Sequence, residues 1–76
     1  ELDKAIQDFS KAIELKPDLA EPYINRGLAY AKKGELDKAI QDWFMVMRLK
    51  PELLPEDIKR FLEGDNPPGD ALMTYQ

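Results

Sequence analysis

A chain of 76 residues holds one domain at most and lies near the lower limit for an independent hydrophobic core. Its 43% apolar and 34% charged content suits a soluble helical domain and is too apolar for a disordered one. Fifteen acidic against eleven basic residues leave a net charge of −4, so there is no basic footprint for nucleic acid or an anionic membrane; the absence of cysteine excludes disulfides and leaves the compartment unread.

Residues 2–15 are predicted to form the first helix. Ala5, Ile6, Phe9, Ala12 and Ile13 make one stripe at helical spacing, with Lys4, Asp8 and Lys11 on the other side and a Lys4–Asp8 pair four residues apart. Pro17 ends this helix, because it cannot continue the hydrogen-bond ladder and it pushes Lys16 out of the helical region. Asp18, three residues before Glu21, has the spacing of a capping box and is expected to open a second helix that runs to about Lys33. Its apolar side is Tyr23, Ile24, Gly27, Leu28, Tyr30 and Ala31. A glycine in mid-helix costs roughly 1 kcal/mol against alanine, which implies the close approach of another helix at Gly27. Lys32 and Lys33 suit the negative helix end, and Gly34 is a good C-terminal cap.

The third helix, about Leu36 to Leu49, repeats the first. Residues 35–42 are identical to residues 1–8, and Leu49-Lys50-Pro51 repeats Leu15-Lys16-Pro17, both at an offset of 34 residues. Self-similarity at such a period is the sign of a helical solenoid, in which each unit buries its face by stacking on the next. Pro55 to Glu63 reads as a short fourth helix with Ile58, Phe61 and Leu62 on one face and Gly64 as its stop. The Asn66-Pro67-Pro68-Gly69 stretch reads as loop, after which Ala71, Leu72, Met73 and Tyr75 could pack back as a strap. With no initiator methionine and a start inside a repeat, the sequence is expected to be a piece of a longer, processed or engineered protein.

The pattern resembles the tetratricopeptide repeat (TPR) family, whose unit is a 34-residue pair of antiparallel helices, A then B. The positions that carry the resemblance are Tyr23, Gly27, Tyr30, Ala39, Trp43 and Pro51 in one full unit, Ala20 to Leu53, and Ala5, Phe9, Ala12 and Pro17 in the half-unit before it. Arg26 departs from the resemblance, standing where the family usually has leucine, and so does Val46, where it has alanine. The resemblance implies an all-α fold, an α-α superhelix of antiparallel helix pairs with about four helices. It divides the chain into a truncated B helix (1–19), a complete unit (20–53), a terminal capping helix (54–64) and a tail (65–76). It further implies a groove lined by A helices that holds a peptide or partner protein, with Glu21, Ile24, Asn25, Leu28, Ala31 and Lys32 as groove positions here. The stretch Tyr23 to Arg26 is similar to the helix of chaperone-binding members whose asparagine helps to clamp a C-terminal carboxylate; since Pro55 breaks the register that would bring Lys59 to the last clamp position, a generic groove asparagine is the preferred reading of Asn25.

No catalytic constellation is present. Histidine and cysteine are absent, Ser10 and Thr74 have no partner base, and no cofactor or metal motif occurs, so the expectation is a non-catalytic module. The departure between the two B helices is the sharper signal: Phe9-Ser10-Lys11-Ala12-Ile13-Glu14 becomes Trp43-Phe44-Met45-Val46-Met47-Arg48. Five consecutive apolar residues cover most of a helix circumference, so another surface must cover them. Either Ile58, Phe61, Leu62 and the tail do so, or Phe44 and Met45 form a partner or self-association surface. Ile6, Phe9 and Ile13 are expected to lack their usual helical neighbour, and a homo-oligomer or helix swap is the structural alternative. A catalytic domain elsewhere in a parent protein is compatible with either.

Overall fold

The computed structural model describes residues 1–64. Four helices follow one another, α1 (Leu2–Leu15), α2 (Ala20–Lys33), α3 (Leu36–Leu49) and α4 (Glu56–Leu62), with a 3₁₀ turn at Pro51–Leu53. The architecture is all-α: α1 packs on α2, α2 on α3, and the 3₁₀ turn and α4 fold back onto α3.

The connections follow from local chemistry. At the end of α1 the Lys16 N–H still reaches the Ala12 carbonyl, and Pro17 then stops the helix. The Leu19 N–H bonds back to the Lys16 carbonyl at 3.2 Å, and the Tyr23 hydroxyl donates to the Pro17 carbonyl at 3.2 Å. This turn holds Asp18 one residue too early to serve α2. The cap is Leu19, with no side-chain bond, so the capping box expected at Asp18 is not formed. Between α2 and α3 the chain reverses in two residues. Gly34 sits at φ 89°, where a side chain would be strained, and its N–H and that of Glu35 return to the carbonyls of Ala31 and Tyr30. Pro55, expected inside the first turn of α4, is its N-cap, and Gly64 (φ 100°) closes that helix as expected.

The core consists of Ala20, Tyr23, Ala39, Trp43, Val46, Leu54 and Ile58. Burying each of its large aliphatic side chains contributes roughly 1.5–3 kcal/mol. Three elements meet there: α2 supplies small and aromatic residues, α3 the indole, and the segment after α3 supplies Leu54 and Ile58. Phe61 and Leu62 pack against the same cluster, so part of the apolar α3 face is covered within the chain. The expected strap of Leu72, Met73 and Tyr75 lies outside the described residues. No residue of α1 is fully buried.

Candidate interaction face

Gly27 and Trp43 define how closely α2 and α3 approach. A Cβ on Gly27 would lie 2.7 Å from Cδ1 of Trp43 and nearer still to its Nε1, so glycine is the residue that fits. The indole is 1% exposed, and its N–H finds no acceptor among the described residues. Close packing has been kept here at the cost of one unpaired donor.

Beside this contact sits an ionic node that joins three helices. Arg26 of α2 donates from Nε and Nη2 to the two carboxylate oxygens of Asp42 on α3, at 2.8 and 2.6 Å, and from Nη1 to the Ser10 hydroxyl of α1 at 3.0 Å. Asp42 is 4% exposed. The guanidinium carbon lies 5.9 Å from the ring centroid of Tyr23 and 5.7 Å from that of Tyr30. The hydrogen bond to Asp42, opposed by partial burial, holds the Arg26 pKa above its ordinary value. Planar, bidentate geometry of this kind is particular to arginine. A weaker, exposed set of pairs links the same helices at one end: Lys33 bonds Asp3 of α1 at 2.7 Å and lies 3.4 Å from Glu35, which Lys38 approaches at 3.1 Å. Asp3 first and Glu35 second raise the Lys33 pKa, while Lys38 first and Lys33 second lower that of Glu35.

The sequence-derived candidates separate into groups. Asn25, Leu28 and Lys32 of α2 line a cleft of about 240 Å³ with Ala29 and with Leu2, Ala5 and Phe9 of α1. Thus the structure brings three groove positions together with Phe9, which the sequence assigned to the apolar set. Glu21 is exposed and outside this cleft, and Ile24 and Ala31 pack against the core. Ile6 and Ile13 border a shallow depression on α1 with Gln7, Ser10, Lys11 and Glu14. Phe44 is 49% exposed, as an outward position requires. Met45 differs from expectation: it is half-buried and packs against the core, because α3 is covered on more than one side. Pro51, placed among the packing residues, is exposed, and its part is to end α3. The Lys4–Asp8 pair is not formed, and no ion pair among the described residues includes Asp8.

Arg26, Asp42 and Ser10 were not singled out together. A signal was available: Arg26 is the departure in α2, and Arg26 and Asp42 stand at equal distances, eight residues each, from Gly34 in the reversal. Residues so placed in a helical hairpin lie opposite one another.

Two family models match, each over one repeat length: one described as TPR repeat over residues 1–34, the other as tetratricopeptide repeat over residues 20–53. The chain belongs to the tetratricopeptide-repeat family. The two TPR matches share α2, which one reads as following α1 and the other as leading α3; α4 lies beyond both. TPR repeats in general mediate contacts between proteins. Comparisons with the curated proteins and with the solved structures returned no match. Among the described residues no group of acidic side chains is arranged to hold a metal ion, and no helix is long and apolar enough to cross a membrane.

Proposed function

We propose that the chain is a non-catalytic TPR interaction module that holds a peptide or a partner's helix in the cleft between α1 and α2. The observation that carries this reading is the composition of that cleft. Leu2, Ala5, Phe9, Leu28 and Ala29 give it an apolar floor, and Asn25 and Lys32 stand beside it as polar groups that can orient a bound backbone or carboxylate. Its two walls, α1 and α2, are tied to one another by Arg26–Ser10 and Lys33–Asp3. Glu21, exposed and outside the cleft, extends the face along α2. In this reading residues 54–64 act as a terminal cap, their Leu54 and Ile58 closing the core behind Trp43 and Val46. Selection of binders from a random peptide library on the intact chain tests the proposal. Peptides whose binding is lost with Leu28→Glu and with Phe9→Ser, and kept with Phe44→Ser, are the expected result. Binders that respond only to Phe44→Ser would overturn it.

A second reading is supported by exposed apolar surface. Phe44, and the half-buried Ile6, Phe9 and Ile13, could serve self-association or helix exchange. Light scattering over a range of concentrations separates the two: a monomer throughout removes the self-association reading.

A further inference from the structure

Asp37, Gln41, Phe44 and Arg48 stand at i, i+4, i+7 and i+11 on α3, the spacing of a single helix face. All four are exposed, Phe44 at 49%. The half-buried Ile40 and Met45 border this face on its two sides. Neither Asp37 nor Arg48 has an ion-pair partner among the described residues. The face therefore has an aromatic ring near its middle, an anion at one end and a cation at the other, about three helical turns or roughly 16 Å apart.

We propose that this face is the contact surface for a second copy of the chain, with the two α3 helices antiparallel about a two-fold axis between Gln41 and Phe44. In that arrangement Asp37 of each copy meets Arg48 of the other, and the two Phe44 rings lie together near the axis. The helices cross at a shallow angle, as contact over three turns requires. A parallel arrangement would set aspartate against aspartate and arginine against arginine, so the charges choose one orientation. The assembly closes at two copies, because each face is used up by the contact that it makes.

The same face of α1 shows what sets α3 apart. Its residues, 34 positions earlier, are Asp3, Gln7, Ser10 and Glu14. Both of its charges are acidic, so two such faces repel, and Asp3 is already bonded to Lys33 at 2.7 Å. On α3 the aspartate and the glutamine are kept. The two residues that differ, Phe44 in place of Ser10 and Arg48 in place of Glu14, supply the apolar centre and the missing cation. Trp43 and Val46 are buried within the chain, and Met45 and Met47 are half-buried. Phe44 is thus the member of the apolar run Trp43–Met47 that is left for another molecule.

This goes beyond the peptide-binding reading and selects α3 rather than α1 for self-association. No residue of α3 lines the cleft, so a dimer through α3 leaves both clefts open and presents two of them to a bivalent partner. One helix face from each copy is a small contact, and the dimer is accordingly weak and reversible.

Sedimentation of the intact chain from micromolar to millimolar concentration tests the proposal. A monomer–dimer equilibrium is expected, with nothing larger. Phe44→Ser, which restores the residue type that α1 carries there, should weaken it by about tenfold or more. Asp37→Arg or Arg48→Asp alone should weaken it by about tenfold, since either change turns both ion pairs repulsive. The two changes in one chain should restore the dimer. Mixing the Asp37→Arg chain with the Arg48→Asp chain should give a heterodimer of two chains that do not pair with themselves, read by a label on one of them. Circular dichroism checks that each variant is folded. Asp8→Arg, the same charge reversal on α1, should leave the equilibrium unchanged. A monomer throughout, a dimer that survives Phe44→Ser or responds equally to Asp8→Arg, or failure of the mixed chains to pair overturns the proposal. Loss of peptide binding with Leu28→Glu tests the cleft separately, so either reading can fail while the other stands.

Discussion

Glu1 to Asp8 and Glu35 to Asp42 are the same eight residues, and the two helices that they begin differ in almost every contact. Glu1 caps α1, its carboxylate accepting the Lys4 N–H at 3.2 Å. Glu35 stands at the same place on α3 and makes no such bond, because Lys33 and Lys38 draw its carboxylate away. Asp8 is exposed and Asp42 is buried beneath Arg26. Phe9 and Ala12 remain partly open, while Trp43 and Val46 are closed. Identical local sequence produced identical helices, and the neighbours of each helix decided everything else. In a solenoid, the environment of a residue is set one unit away.

The largest test of this difference compares the aromatic positions. Trp43→Ala should cost roughly 3–5 kcal/mol, enough to unfold much of a small domain, and Phe9→Ala less than half of that. Urea denaturation followed by far-UV circular dichroism measures both. Equal losses would mean that α1 is as well covered in solution as α3. The carboxylates come next. Asp42→Ala should cost about 2–3 kcal/mol, somewhat below the usual loss for a broken buried pair because Arg26 keeps some contact with solvent, whereas Asp8→Ala should stay within ~0.5 kcal/mol. Adding Arg26→Met to Asp42→Ala should return part of the loss, since the unpaired guanidinium is then removed. A smaller effect is expected at Gly27. Gly27→Ala gains up to about 1 kcal/mol of helix propensity and loses roughly 1–3 kcal/mol to overpacking against the indole, a net destabilisation that Trp43→Phe in the same chain should reduce.

The smallest effect is that of pH. Glu35 has its pKa lowered on folding, so its pairing stabilises the fold above its ordinary value of 4.5 and is lost as the pH falls through the folded value. Lys33 has its pKa raised, so its contribution is present below its ordinary value of 10.5 and is lost as the pH rises through the higher folded value. These groups are partly exposed at the surface, and the dependence should therefore flatten as salt is added. Thermal melts at acid, neutral and alkaline pH, at low and high salt, read it. A slope that persists at high salt would point to a buried group instead.

Much of the fold was legible before any coordinates. The helix limits at Leu15, Lys33 and Leu49 follow from Pro17, Gly34 and Pro51, because each of these residues removes a donor or supplies a left-handed turn. The close approach at Gly27 follows from the cost of glycine in mid-helix. The node of Ser10, Arg26 and Asp42 was less accessible, since a charged residue on a helix is as readily a solvated one, and only the opposite wall shows which. For the same reason Met45 read as a surface residue and packs inward, and Asp18 read as a cap and lies in the preceding turn.

The sequence by itself determined that residues 1–64 form four helices, where they stop, that α3 repeats α1 at an offset of 34 residues, and that the chain belongs to the TPR family. Those properties depend on periodicity, capping and backbone dihedrals, which act within a few residues. The tertiary structure alone decided which of the two repeated aspartates, Asp8 or Asp42, is buried, that Arg26 spans three helices, and that three groove positions of α2 share a cleft with α1. These depend on which surfaces meet across the hairpin, and eight repeated residues cannot encode two different neighbours.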